Sequence, residues 1–90
     1  MDYINIIIKL YSNLDKELKI TDYNPDKGII LQAKKGSRLV TIIKKAGIPY
    51  NRKYAIFANG ERFSKWKKLH QSCEISILDL RWWIKINKLI

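Results

Sequence analysis

His70 and Cys73, three positions apart, are the residues of this chain that come nearest to a reactive pair. A thiol and an imidazole can act together as nucleophile and base, or as two ligands of a metal ion. A metal site needs three or four ligands and a thiol enzyme needs a third group that orients its base, yet the chain has one histidine and one cysteine. We therefore expect no catalytic site, no metal site and no cofactor, and we interpret Cys73 as filling a small apolar niche.

The acidic residues do not form a catalytic pair either. Asp15, Glu17, Asp22 and Asp26 precede the second predicted strand in a polar, turn-rich stretch. Nothing in their spacing pairs one as a general acid with another as a general base, so we interpret them as solvated loop charges. The chain also has no glycine-rich loop of the kind that cradles phosphates. We expect a protein that is not an enzyme.

The first predicted element is a strand over residues 3–11. Apolar side chains alternate with polar ones there, so that Ile4, Ile6, Ile8 and Leu10 share one face. The run Asn24-Pro25-Asp26-Lys27-Gly28 predicts a turn, and Ile29 to Ala33 predicts the second strand.

One principal helix is predicted from Ser37 to Ala46. Its apolar residues recur at the spacing of a single helical stripe. Ser37 is the expected N-cap, and Gly47 followed by Pro49 ends the helix. The stripe consists of Leu39, Ile42, Ile43 and Ala46.

A hairpin and a closing strand follow the helix. Tyr54 to Ala58 and Glu61 to Phe63 flank Asn59-Gly60, the pair that best tolerates a tight hairpin turn. Ile75 to Leu80 is apolar enough to be an interior strand, and we expect it to pair with the first strand at the sheet centre, under the helix. The predicted fold class is α+β, with a mixed sheet of four or five strands in one domain over residues 1–80.

The net charge of +10 and the pI near 9.9 suit a polyanionic partner. A basic nucleic-acid-binding domain is therefore an alternative function. A chain this rich in isoleucine, lysine and asparagine can also owe its charge to an AT-rich genome, and its basic residues are spread over several elements. The candidate nucleic-acid-binding residues are Lys34, Lys35, Arg52, Lys53, Lys65, Lys67 and Lys68.

The segment 81–90 forms an apolar extension with two adjacent tryptophans. Exposed apolar surface of this kind usually meets a partner, whereas buried rings would mean that the last strand runs on into the core. Such a strand could also pair with a second copy of the chain and form a homodimer. The candidate partner-binding residues are Arg81, Trp82, Trp83, Ile84 and Ile86.

The order of elements and several motifs resemble the ubiquitin-like β-grasp proteins of the MoaD/ThiS sulfur-carrier family. The matching stretches are Gly36 to Leu39, continuing through Lys45-Ala46-Gly47-Ile48-Pro49, and Tyr54 to Glu61 with its Asn-Gly turn. Leu69 and Glu74 to Leu78 resemble that family's last buried leucine and final strand. The resemblance implies a β-grasp fold. Its implied partners are an activating enzyme, a molybdopterin-synthase-like subunit or a cofactor-containing oxidoreductase.

Two features depart from the family's pattern. Ser72-Cys73 stands where Gly-Asp is usual, and the sequence ends Lys88-Leu89-Ile90 in place of the Gly-Gly that the carriers use. Because glycines let the terminal carboxylate thread into an activating enzyme, we expect the carrier chemistry to be absent and the protein to act as a protein-interaction module. A second alternative is a sulfur carrier of molybdopterin or thiamine biosynthesis with an unusual terminus, which would carry a thiocarboxylate on Ile90.

Composition also gives an expected location. No apolar run approaches the roughly 18 residues that span a bilayer, and the N-terminal residues lack the pattern of a secretion signal. One cysteine excludes an internal disulfide framework. We expect a cytoplasmic protein without a membrane partner.

Overall fold

The computed structural model describes residues 2–50 and 53–81, which form an α+β domain. Five strands make one mixed sheet in the order β2-β1-β7-β4-β5, and two short strands, β3 and β6, make a second sheet. The strands are β1 (Tyr3–Leu10), β2 (Ile29–Lys34), β3 (Ser37–Arg38), β4 (Tyr54–Ala58), β5 (Glu61–Phe63), β6 (Lys68–Leu69) and β7 (Cys73–Asp79). The helices are α1 (Leu14–Glu17) and α2 (Leu39–Lys45). The predicted fold class and mixed sheet are confirmed.

The first and last strands of the sheet pair in parallel at its centre, as expected from the sequence. Ile8 lies opposite Ile75, and Leu10 lies opposite Ile77. The four even-numbered residues of β1, from Ile4 to Leu10, are all buried, as their alternation predicts. The core lies on this face, where α2 contributes Leu39, Ile42 and Ile43.

The N-terminus of α2 corrects the expectation that Ser37 caps a helix running from Ser37 to Ala46. The helix begins at Leu39, its N-cap is Arg38, and no side chain caps it. The first amides are satisfied by distant backbone, because Leu39 N donates to Lys67 O at 2.9 Å and Val40 N donates to Lys65 O at 2.9 Å. The Ser37 hydroxyl instead donates to Lys34 O at 2.7 Å.

The Asn59-Gly60 hairpin lies where the sequence places it. Ala58 pairs with Glu61, and both turn residues have positive φ, 53° and 79°, as a tight hairpin between right-twisted strands requires. At the other predicted turn, the Asn24 side-chain oxygen accepts from Asp26 N at 2.9 Å, the local bond that favours asparagine in turns.

The last strand differs from the expected bounds of Ile75 to Leu80. β7 begins at Cys73 and ends at Asp79, and the backbone of Leu80 and Arg81 is helical. At that point Leu80 N donates to Lys53 O at 2.6 Å. The strand therefore does not run directly into the extension, and residues 82–90 lie outside the described residues.

Candidate functional site

The two-stranded sheet of β3 and β6 gathers basic residues from distant parts of the chain around an exposed tryptophan. β3 and β6 pair in antiparallel register, Ser37 with Leu69 and Arg38 with Lys68. Gly36 N adds a bond of 2.6 Å to Leu69 O. These contacts hold the segment 34–38 against the segment 65–70. We call the resulting group the basic–aromatic surface, and it consists of Lys34, Lys35, Arg38, Lys65, Trp66, Lys67 and Lys68.

Trp66 is the central aromatic residue of the basic–aromatic surface. Its side chain is 56% exposed although two cations lie within cation–π range of its ring. The Arg38 guanidinium carbon lies 6.0 Å from the ring centroid and Lys65 Nζ lies 4.9 Å from it. Arg38 Nη1 also donates to Trp66 O at 3.5 Å. Lys65 Nζ is in addition 4.6 Å from the ring of Tyr50, so the cations are held beside aromatic faces.

Two cations face each other across the small sheet. Arg38 and Lys68 are direct partners in the antiparallel register, and both are exposed. Like charges directly opposite one another destabilise a strand pair. Within residues 2–50 and 53–81, no carboxylate forms an ion pair with any of the six cations of this surface. The sequence therefore places positive charge here that no ion pair among the described residues compensates.

Lys34 and Lys35 line a shallow depression together with Asp2 and His70. Lys35 N donates to Asp2 O at 3.0 Å. The His70 ring packs beside Gly36, where an added Cβ would lie 3.6 Å from Cε1. This depression brings Asp2 and His70 next to Lys34, which ends β2, and Lys35, which follows it.

The structure divides the basic residues that the sequence singled out. Lys34, Lys35, Lys65, Lys67 and Lys68 lie around β3 and β6. Lys53 lies next to Leu80, at the C-terminal end of β7. Cys73, at the N-terminal end of β7, shares a depression with Lys67. The strand between these two ends is about 20 Å long. Arg52 lies outside the described residues. Five of the seven candidate residues thus lie around one small sheet, and Lys53 lies apart from them.

His70 and Cys73 line the same depression, which also contains Lys67 and Phe63. Burial raises the pKa of the Cys73 thiol above its ordinary value. A reactive cysteine needs the opposite shift, because the thiolate is the nucleophile. Among the described residues, no group of three or more histidine, cysteine or acidic side chains is placed to hold a metal ion.

A second surface is the outer face of the five-stranded sheet, on the side away from the core. We call it the outer sheet face and define it by the apolar residues Tyr3, Ile7, Ile30, Phe57 and Leu78. Ile30 lies on the edge strand β2 opposite Ile7 and is 66% exposed. Tyr3 is also exposed, whereas Ile7, Phe57 and Leu78 are half-buried. Polar partners such as Ser76, which is paired with Phe57, separate these residues.

Arg81 is the part of the candidate extension that the structure describes, and its side chain is engaged within the chain. Its Nη2 lies 2.6 Å from Asp79 Oδ2 and 3.2 Å from Glu17 Oε1. Its backbone N donates to Asp79 Oδ1 at 2.8 Å. Asp79 is only 4% exposed, so this contact compensates a buried carboxylate and joins β7 to α1. Trp82, Trp83, Ile84 and Ile86 lie outside the described residues.

The Asp79 carboxylate predicts a pH dependence of stability. Its hydrogen bond with the Arg81 side chain is the main cause that holds the pKa of Asp79 below the ordinary value of 3.8. A lowered pKa in the folded state stabilises the protein above about pH 4, and that stabilisation is lost as pH falls through the folded pKa. We expect Asp79→Asn to be less stable than the native protein at neutral pH, with the difference shrinking below about pH 4. Urea midpoints measured across this range test it, and a constant difference would contradict it.

Trp66 and Arg38 are the residues of the basic–aromatic surface that the sequence-based prediction missed. The run Lys65-Trp66-Lys67-Lys68, an aromatic residue among cations, was a usable signal. Arg38 had none, because its place opposite Lys68 depends on the pairing of two strands of two residues each. Ile30 could have been found from the alternation of β2, since it points away from Leu31 and Ala33.

Comparisons with known proteins assign no family to the chain. No family model matches it, and no curated protein matches it significantly. Within the part of the chain that the structure describes, no helix is long and apolar enough to cross a membrane.

Proposed function

We propose that this protein is a ubiquitin-like β-grasp protein of the MoaD/ThiS type that works by binding another protein and has no catalytic activity of its own. The observation that carries the proposal is the sheet order, with β1 and β7 parallel at the centre and α2 contributing to the core on one face. This is the arrangement that the resemblance implies for a β-grasp fold. Two of the sequence motifs that carry the resemblance form a helix, α2, and a hairpin at Asn59-Gly60, which supports the proposal.

The outer sheet face is the contact surface that the described residues offer. A β-branched residue that is 66% exposed on an edge strand provides apolar surface for a partner. Charges of both signs surround it, Lys9 and Glu74 among them, so it suits a mixed protein surface. The partner classes are those of the resemblance, an activating enzyme, a molybdopterin-synthase-like subunit or a cofactor-containing oxidoreductase.

The Cys73 thiol is one observation in favour of the non-catalytic part of the proposal. Burial raises its pKa, which is the opposite of the shift that activates a cysteine nucleophile.

Affinity capture from a nuclease-treated extract of the host tests the proposal. Two variants are compared, and each carries one introduced negative charge. Ile30→Asp puts a carboxylate on the outer sheet face, and Thr41→Asp puts the same carboxylate on the exposed side of α2. We expect the native chain and Thr41→Asp to capture a protein of one of the three named classes. Ile30→Asp should lose at least about nine-tenths of it, because a charge buried unpaired in an interface costs several kcal/mol. Capture that is equal for both variants would contradict the proposed surface.

The extension is tested in the same assay. The sequence predicts that Trp82→Ala with Trp83→Ala abolishes capture while the fold, followed by circular dichroism, is retained. An unfolded double variant would place these rings in the core instead. A basic nucleic-acid-binding domain remains the alternative function, and capture that disappears on nuclease treatment would favour it.

A further inference from the structure

We propose that the basic–aromatic surface binds single-stranded nucleic acid, with a base stacked on Trp66 and the backbone phosphates on the surrounding cations. The site shares no residue with the outer sheet face, although Lys34 is paired with Tyr3 where the two surfaces meet. The variants that test the two proposals lie at different positions, so either proposal can fail alone.

Six cations surround β3 and β6, and none of them is paired with a carboxylate among the described residues. Arg38 and Lys68 face each other in register, an arrangement that costs stability in the free protein. A bound phosphate between them would turn this repulsion into two charge-assisted contacts. Departures from local stability rules of this kind are concentrated at functional sites.

Trp66 is an exposed ring beside cations. Its side chain is 56% exposed, Lys65 Nζ lies 4.9 Å from the ring centroid, and the Arg38 guanidinium carbon lies 6.0 Å from it. Aromatic rings among cations are the usual platform for single-stranded nucleic acid, because every base has a face to stack and every nucleotide carries a phosphate. Arg38 donates to the backbone O of Trp66, and the Lys65 ammonium lies beside the ring.

The basic–aromatic surface suits a single strand better than a duplex or a membrane. β3 and β6 have two residues each, and neither forms a helix or a long ribbon that could enter the major groove of a duplex. In a duplex the base faces are already stacked on one another and are not available to Trp66. An anionic lipid surface would attract the same lysines, but insertion needs several apolar side chains together, and the ring of Trp66 lies beside the cations of Arg38 and Lys65.

Fluorescence anisotropy with the full chain tests this proposal. The probes are labelled oligothymidylate and oligouridylate of about 12 nucleotides, a length within the usual site size, and a duplex of the same length. We expect both single strands to bind more tightly than the duplex, with affinity falling steeply between about 50 and 200 mM salt. Equal or tighter binding of the duplex, or no binding of either single strand, would overturn the proposal.

The variants separate stacking from charge. Trp66→Ala should weaken binding by about 10- to 100-fold, and Trp66→Phe should restore most of it, since a ring remains. Tyr11→Ala is the matched control, because Tyr11 is an exposed aromatic residue at the other end of β1.

The charge variants are compared by their salt slope, the steepness with which the logarithm of the binding constant falls with the logarithm of the salt concentration. Arg38→Gln with Lys68→Gln should lower the salt slope by about 1.4, because each of the two lost phosphate contacts contributes about 0.7. Lys16→Gln with Lys27→Gln removes two exposed lysines at the far end of the sheet and should leave the slope unchanged.

The result that overturns the stacked-base assignment is Trp66→Ala binding as tightly as the native chain. If the Arg38→Gln, Lys68→Gln variant has the same salt slope as the Lys16→Gln, Lys27→Gln control, the phosphate contacts are overturned. Binding to phosphatidylserine vesicles in place of either oligonucleotide would assign the surface to a membrane and reject the proposal.

Discussion

Replacing Ile75 with alanine is expected to lower the free energy of unfolding by about 2–5 kcal/mol, the cost of a cavity in a close-packed core. Ile75 is fully buried in the central strand β7, between Ile8 on β1 and Ala58 on β4. Neighbours on paired strands cannot collapse into the space without breaking their own hydrogen bonds. The cavity should therefore persist, and the protein should lose a large part of a stability that is only about 5–15 kcal/mol in small domains.

Ile30→Ala is the matched control for this prediction. It removes the same atoms from a residue that is 66% exposed on the opposite face of the sheet, and we expect it to cost less than about 1 kcal/mol. Urea denaturation of both variants gives the two values. Similar costs at the two positions would show that the register of the central strands is wrong.

The second large effect is expected at Gly28, where the turn enters β2. Its φ is +71°, and an added Cβ would lie 2.6 Å from Ile8 O, closer than such atoms approach in folded proteins. Gly28 N also donates to Asn24 O at 2.7 Å, so the turn cannot shift without losing that bond. We expect Gly28→Ala to cost about 2–4 kcal/mol, the sum of the left-handed conformation and the steric overlap.

Gly60→Ala separates these two contributions. Gly60 has a similar φ of +79°, but nothing lies within 4 Å of its added Cβ. Its substitution should cost only about 1–2 kcal/mol, the penalty of the conformation itself. Thermal or urea unfolding measures the difference between the two variants, and a Gly60→Ala variant that is as unstable as Gly28→Ala would contradict the overlap with Ile8 O.

The main sheet was predictable from the sequence because its signals are local and redundant. β1 alternates over eight residues with one face buried, so a shift of one residue would expose Ile4, Ile6 and Ile8. Asn59-Gly60 fixes the hairpin, because few other pairs adopt positive φ twice in succession. The parallel pairing of β1 with β7 follows from two strongly apolar strands that both need the centre of the sheet.

The features that sequence reasoning missed depend on contacts between distant residues. Ser37 has the side chain of an N-cap, but carbonyls of Lys65 and Lys67 satisfy the first amides of α2, so the helix begins two residues later. Strands of two residues, such as β3 and β6, are too short to show a period. Lys53 and Lys65 look alike in the sequence, and only the pairing of β3 with β6 shows which of them belongs to the basic–aromatic surface.

The central claim is that a protein partner covers the outer sheet face, and site-specific photo-crosslinking in the host tests it most directly. A benzophenone amino acid is placed at position 30, and controls carry it at exposed position 41 on α2 and at position 66 on the basic–aromatic surface. We expect one strong adduct from position 30 that is absent from both controls. It should contain an activating enzyme, a molybdopterin-synthase-like subunit or a cofactor-containing oxidoreductase. No adduct from position 30, or the same adduct from position 41, would contradict the claim.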